Sequence, residues 1–535
     1  MKQLLSILLA LLLFSGCSAL AAQPATAEPP PTQTADSAPA IIPETTEIPY
    51  ESRFKKETLI RLSDTGMDVS GPDSLSVFGS NDIIYYEDRD AYDSGRPYGE
   101  GTGADKHSAA EAEKHYVVNI TDPGAYRVTG KLSAGQIRVD LGEDAKKDAS
   151  AVVELILDNA DITCTVAPAI LFLNVYECDA GRNEENATPE VDTAHAGANL
   201  ILEGKNTVNG SYVAKIFKDK KDEKKLWKQD GAIYSYMSMN IYGPGALTLQ
   251  AANEGLGTEM HLTVNGGDIT VLSQNDGINT NEDNLSVTTI NAGDLHIAAG
   301  LGEEGDGIDS NGYLVINGGT VISAAKPASD SGLDSDCGSF IHGGTVVALG
   351  AAMDWAETDS NQVTMNLQFS QRQTGLLQIT AEDGTEVFSF DPASDPVLKD
   401  YDRGYQGAVI SCSAFQVGAS YHVYSAGTQM AYSSTDVMRH PGGFGGKGQR
   451  PEGFDGQMPS LPEGEMPTWP AGEAPARPDG SRGNKTNRIP EGEPPAGWNP
   501  GDKQDPEAMQ PAAPGQTRFY MQDKVNFFSG LSQAQ

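Results

Sequence analysis

Positive charge is scarce in this sequence: 37 Lys and Arg stand against 74 Asp and Glu in 535 residues, a formal net charge of −37. Nothing therefore supplies the cationic excess that phosphate neutralisation requires, which excludes a nucleic-acid binder. Long apolar runs are missing too. The run Leu4 to Phe14, behind Lys2, is too short to cross a bilayer and sits where a secretory signal belongs, so a polytopic membrane protein is also excluded. Cysteine is rare, with 5 in the chain. Cys164, Cys178, Cys337 and Cys412 lack the close pairing of a zinc site and read as core thiols, or as one disulfide at most.

What is present begins with Leu13-Phe14-Ser15-Gly16-Cys17, which resembles the lipobox of bacterial lipoproteins. Residues 1–17 are then a signal peptide and lipobox, Cys17 carries lipid, and that lipid is the sole membrane contact of an extracytoplasmic protein. The alternative is an ordinary secretory signal with a chance cysteine; both export the chain. Residues 18–50 are a tether, with seven prolines before Tyr50 and too little apolar surface to offset the entropy of ordering. Residues 441–515 are Pro/Gly-rich, with the loose repeat RPEGFDGQMP, LPEGEMP and IPEGEPP, and are expected to be disordered. Residues 516–535 regain strand character.

Between these limits strand follows strand with no amphipathic helix, and the centre repeats. Glycine-started strands recur as GPGALTL, GGDITVL, AGDLHIA, GGTVISA and GGTVVAL, with the second glycines (Gly245, Gly267, Gly293, Gly319, Gly344) at steps of 22, 26, 26 and 25. A second series, EGLGTE, DGINTN, DGIDSN and SGLDSD, runs out of phase with it. Short strands at a period in the mid-twenties predict an all-β parallel β-helix over 51–355, whose coils stack in register. Residues 356–440 alternate differently (LLQITA, EVFSFD, AVISCS, YHVYSAG) and predict a small C-terminal β cap covering the open last coil.

Stacking assigns each column a face. Alternation turns Leu256, Ile278, Ile308 and Leu333 into the core with Thr258, Thr280, Ser310 and Ser335. Gly257, Asn279, Asp309 and Asp334 face outward, followed by Glu259, Asn281, Asn311 and Asp336. With neighbouring coils about 4.8 Å apart, stacked carboxylates repel one another. From Gln229 to Gly350 fifteen acids meet one base, Lys326, so a cation rather than a side chain is the expected counter-charge. Calcium suits carboxylate and amide oxygens on turns, and Asp306, Asp309, Asn311, Asp334 and Asp336 are the best ligand set, with Glu303 and Glu304 adjacent. The competing reading is a solvated acidic face that needs no metal. Asn265, Asn291, Asn317 and His342 form a structural turn column. The loop AKIFKDKKDEKKLWKQ (214–229) carries seven lysines; Lys224, Lys225, Lys228 and Trp227 could hold a polyanionic sugar, or be ordinary solvated surface.

ITDPGAYRVTGKLSAGQIRVD (120–140), VVELILDNADIT (152–163), GDGIDSNGYLVINGGTVIS (305–323) and SCSAFQVGASYHVYSAG (411–427) resemble the bacterial carbohydrate-binding domain family. The resemblance covers roughly residues 55–440. It implies a secreted right-handed parallel β-helix of polysaccharide-lyase-like shape that binds calcium and attaches to cellulose or polygalacturonate without cleaving them. Calcium carries over to the DGIDSN and SGLDSD positions only. The insert Tyr85 to Tyr116, the lysine loop and the Pro/Gly-rich tail depart from the pattern.

A polysaccharide lyase on the same scaffold is the rival reading. It needs a basic residue beside calcium to take the proton α to a uronate carboxylate. The repeat stack offers Lys326, the first coils Arg127, Lys131 and Arg138, and the lysine loop is a further source. A surface spacer or adhesin is the third reading. The expectation is a monomeric, non-enzymatic, calcium-assisted polysaccharide binder at the cell surface.

Overall fold

The computed structural model describes residues 47–64, 66–86, 98–100, 106–217, 227–327, 329–351, 354–435 and 515–534. Cys17, Lys224, Lys225, most of the tether and the Pro/Gly-rich segment lie outside the described residues. The described body is all-β apart from the single helical turn Ala109–Ala112 and three short 3-10 turns.

Its central strands stack in parallel. One ladder runs through Gly124–Leu132, Val153–Thr163, Ala198–Glu203, Met239–Tyr242, Leu262–Ser273, Val287–Ala298, Tyr313–Ile316 and Ser339–Ile341. A second takes the later halves of the long strands and adds Lys205–Gly210, Ala246–Ala251, Thr320–Ala324 and Thr345–Gly350. A third joins Tyr116–Ile120, Gly135–Asp140, Ile170–Asn174, Gly231–Ser235, Glu254–Thr258, Ile278–Thr280, Ile308–Ser310 and Leu333–Ser335. Each sequence repeat thus places one segment in each ladder, directly over its counterpart in the previous coil.

The repeat glycines turn the chain between the first two ladders. Gly319 adopts φ +77°, and a Cβ there would lie 2.5 Å from Gly293 O in the coil beneath. Coils can close to strand spacing at this corner only without a side chain. Inside, Leu256, Ile278, Ile308 and Leu333 stack in one column, and Leu247, Ile269, Leu295, Val321 and Val346 in another, all at most 1% exposed. The enclosed hydroxyls bond one another, with Thr280 Oγ1 2.8 Å from Ser310 Oγ and 3.1 Å from Thr288 Oγ1. The turn column forms as an amide ladder. Asn291 Nδ2 donates to Asn265 Oδ1 and Asn317 Nδ2 to Asn291 Oδ1, both at 2.8 Å, and His342 ends the column beside Asn361.

Both ends of the stack are covered. Glu57–Ser63 lies parallel to Gly124–Leu132 and forms a hairpin with Gly66–Ser70. At the far end Thr345–Gly350 pairs antiparallel with Tyr405–Ser411, which pairs with Thr364–Gln373, and that strand takes Val525–Gln533 on its other edge. Buried Arg403 donates from Nη1 to Ala299 O and Ala325 O at 2.8 Å each, tying this cap to two coil corners.

Residues 47–54 form a strap along the outside of the first ladder. Ile48 N–H donates to Asn265 O at 3.0 Å, and the Tyr50 ring lies 4.6 Å from that of Tyr242. Ser52 Oγ and the Arg53 N–H donate to the two oxygens of fully buried Glu154 at 2.6 and 2.8 Å. Tyr50 and Phe54 cover Ala125, Ile156 and Ile201. The four described cysteines are free thiols.

Candidate functional site

The third ladder carries the acids. Its register places Gly257, Asn279, Asp309 and Asp334 in one outward column. Beside it, at the bend that opens each strand, Glu254, Asp276, Asp306 and Ser331 follow coil by coil. Their carbonyls from Asp276 onward accept the N–H groups of Gly255, Gly277 and Gly307, each at 2.9 Å. The carboxylates are stitched upward as well. Asp276 Oδ1 accepts the Asp306 N–H at 2.8 Å, and Asp306 Oδ1 accepts the Ser331 N–H at 2.6 Å. Asn279 Nδ2 bridges two acids, donating to Glu254 Oε1 at 3.1 Å and to Asp276 Oδ2 at 3.3 Å.

Burial makes charge costly here. It is the main reason that the carboxyls of Glu254 and Asp276 are each pushed up to about 8, with neighbouring carboxylates adding to the effect. Burial, then Asp334, Asp276 and Asp309, raises Asp306 in the same direction. Asp354, on the stretch after the last coil, accepts the Ser335 N–H at 2.9 Å and is pushed up to about 8 by burial and then by Asp334. Two buried acceptors in the cluster, Glu254 Oε2 and Asn279 Oδ1, have no hydrogen-bond partner.

One counter-charge comes from a side chain, contrary to the count that begins at Gln229. Lys228, one residue earlier, sets its ammonium 2.7 Å from Asp230 Oδ2 and 4.0 Å from Glu254 Oε1. Burial alone would lower its pKa, but Asp230, Glu254 and Glu259 outweigh that and hold it protonated. The short strand Trp227–Gln229, paired with Val213–Phe217, delivers it from the lysine-rich loop. Trp227 lies in that strand opposite Ile216. Lys228 therefore faces the protein's own carboxylates.

Of the other predicted ligands, Asp309 and Asp334 adjoin in the outward column, and Asp306 stands beside them. Asn311 commits its amide N–H groups to Asn281 O at 2.8 Å and Asp283 Oδ1 at 3.1 Å. Asp336 follows the same strand, its backbone N–H bonded to Ser310 O at 3.0 Å. Glu303 and Glu304 are exposed. Among the described residues no group of three His, Cys, Asp or Glu side chains is arranged to hold a metal ion. The donors form an open stair of oxygens instead. All are hard oxygen ligands, and two of the buried acceptors are unspent, which is the chemistry a calcium-type ion takes. Sequence reading placed Asn279 in the outward column and Lys228 as a glycan contact, and missed Glu254, Asp276 and Asp354 as members of the cluster.

The basic residues of the first coils are engaged elsewhere. Arg127 pairs with Glu57, Asp158 and Glu203, Lys131 with Asp161 at 2.6 Å, and Arg138 with Asp82 at 2.9 Å.

Stacked parallel strands bearing an outward acidic column define an all-β protein. A family model described as carbohydrate-binding domain-containing protein matches residues 114–385, slightly more than half of the chain. The chain belongs to that family. A protein of the same description from Acetivibrio thermocellus is 32% identical over 155 residues, covering 29% of this chain and 44% of the relative. The chain thus matches less than half the length of that relative. A solved polysaccharide lyase-like protein from C. thermocellum, a gadolinium derivative, is similar at a TM-score of 0.32 and 23% identity, covering 54% of this chain and 92% of that one.

Proposed function

We propose that this protein is an extracytoplasmic, lipid-anchored right-handed parallel β-helix that holds an acidic plant-type polysaccharide such as polygalacturonate, or cellulose, on its acidic ladder with the help of calcium and does not cleave it. Membership of a carbohydrate-binding family supports the ligand class. The observation that carries the calcium reading is the buried pair of unspent oxygens, Glu254 Oε2 and Asn279 Oδ1, within a stair of carboxyls whose ionisation burial opposes. Glu254, Asp276 and Asn279, which already meet through Asn279 Nδ2, are the residues that would hold the ion, with Asp306, Asp309 and Asp334 following on the next coils. When bound it would neutralise them and leave positions open to a uronate carboxylate. Without such an ion a carboxylated glycan meets a chain of net charge −37 and is repelled.

The protein's own groups set the pH dependence. Protons compete for the ladder up to about 8, so calcium and the glycan should be retained more strongly as pH rises towards that value. The same cluster argues against a lyase at this position, because Lys228 is held protonated by three carboxylates and is a poor base. The test is retention of residues 18–535 on polygalacturonate with calcium and with chelator, while ultraviolet absorbance is followed for unsaturated product. Calcium-dependent retention without an absorbance rise is expected. A rise would make the protein a lyase, and no retention would favour the spacer reading. Asp309→Ala with Asp334→Ala should lower calcium affinity with the fold intact; unchanged metal stoichiometry would move the site elsewhere.

A further inference from the structure

The connection between Ile170–Asn174 and Ala198–Glu203 is long and strandless, yet it is pinned at many points. Connections longer than about 12–15 residues without secondary structure are uncommon and usually functional. Arg182 donates to Thr188 O, and Asn186 Nδ2 to Gly181 O at 3.1 Å, closing the connection on itself. Tyr313 Oη donates to Ala187 O at 3.3 Å, Asn240 Nδ2 to Thr193 O at 2.8 Å, and Arg53 of the strap to Ala194 O. Fully buried His261 accepts the Val287 N–H on Nδ1 at 3.0 Å, so Nε2 carries the proton and faces Asp179 Oδ2 at 3.3 Å. Asp179 is held further by Arg182 Nη1 at 3.5 Å.

This pinned segment walls a cavity of about 680 Å³, within the roughly 300–1,000 Å³ that small-molecule sites occupy. Tyr176, Asp179, Arg182, Glu190 and Asp192 are among its lining residues. The Arg182 side chain is 4% exposed, and its Nε–H has no acceptor. The charge balance is decisive for the ligand class. Arg182 and the His261 N–H are spent on Asp179, and the rest of the wall sets the exposed carboxylates of Glu190 and Asp192 against the single imidazole of His195, a negative surplus that disfavours a uronate. Carboxylates accept hydrogen bonds from hydroxyls, a guanidinium donates to them, and an aromatic ring packs on the apolar face of a pyranose.

We infer that this cavity is a second glycan site, independent of calcium, that takes a short neutral oligosaccharide rather than an acidic one. The inference goes beyond the acidic ladder and stands whether or not the ladder holds an ion. Isothermal titration of the exported chain with cellotriose and with trigalacturonate, each in calcium and in chelator, tests it. Cellotriose should keep one saturable site in chelator and in the Asp309→Ala/Asp334→Ala variant, whatever the ladder adds in calcium, and trigalacturonate should not compete for that site. Ala149→Trp, at an exposed lining position, should abolish cellotriose binding, and Glu190→Gln should weaken it about tenfold, with polygalacturonate retention unchanged. The inference is overturned if cellotriose gives no saturable heat at millimolar concentration, if chelator removes its binding, or if Ala149→Trp leaves it intact. Loss of polygalacturonate retention alone would count against the ladder and leave the cavity standing.

Discussion

Replacing Lys228 by Gln should expose how the acidic ladder is balanced. The side chain is 21% exposed, and its partners Asp230 and Glu254 are 13% and 5% exposed, so the three charges are largely removed from solvent. Removing one partner of a buried pair typically costs about 3–5 kcal/mol, because the remaining charge stays desolvated. The residual exposure of Lys228 places this case near the low end, at about 3 kcal/mol from about pH 8 upward, where Glu254 ionises. For a chain of this size that corresponds to a fall in Tm on the order of 5 °C. The cost should depend on pH. Glu254 titrates near about 8, so at about pH 5 it is already neutral and the lysine balances chiefly Asp230. Thermal unfolding in chelator at about pH 8 and about pH 5 should therefore show a loss that roughly halves at the lower pH. An equal loss at both values, or none at either, would refute the placement of Lys228 as the ladder's internal cation.

Other consequences are open to direct measurement. Carboxyls raised by burial stabilise the fold fully below the ordinary carboxylate range, and that contribution is lost as pH rises through about 8. The metal-free protein should thus lose Tm between about pH 5 and 9, and calcium should restore it chiefly at the upper end, as differential scanning calorimetry would show. Gly319→Ala adds a methyl 2.5 Å from Gly293 O at a left-handed φ and should destabilise by more than the roughly 1–3 kcal/mol of backbone strain alone, read as a lowered denaturant midpoint. Glu154→Ala removes the acceptor of the Arg53 N–H and one of the two acceptors open to the Ser52 hydroxyl. It should release the strap to limited proteolysis near Arg53 while the Tm of the remaining body changes by less than the cost of a core cavity.

Much of the stack was legible because the repeat is a column code. Leu256, Ile278, Ile308 and Leu333 occur at equivalent points of EGLGTE, DGINTN, DGIDSN and SGLDSD, and their alternation with polar residues sets which face is inside. The same strings held Glu254 and Asp276 in the position of Asp306, directly before each glycine. They escaped notice because strict alternation breaks at the bend, where a side chain no longer belongs to one face. The role of Lys228 was illegible for another reason: its loop reads as a glycan contact or as solvated surface, and it reaches the acids from a strand outside the repeat. The cavity wall has no periodic signal at all. Its shape depends on His261, Tyr313 and Arg53, which are distant in sequence and meet the connection only once the coils are stacked.

The strap has a mechanical consequence. Its contacts run from Asn265 past Tyr242 to Glu154, so the chain joins the body partway along the stack and travels back towards the first coil. A pull on Glu47 would load these attachments one at a time, as in peeling tape, with Ile48 first and Arg53 last. Each residue freed adds roughly 3.3–3.6 Å of slack before tension reaches the register between Glu57–Ser63 and Gly124–Leu132. Under such a pull the protein would lengthen at low force and keep the coils behind the strap unloaded, a sacrificial extension in series with the stack.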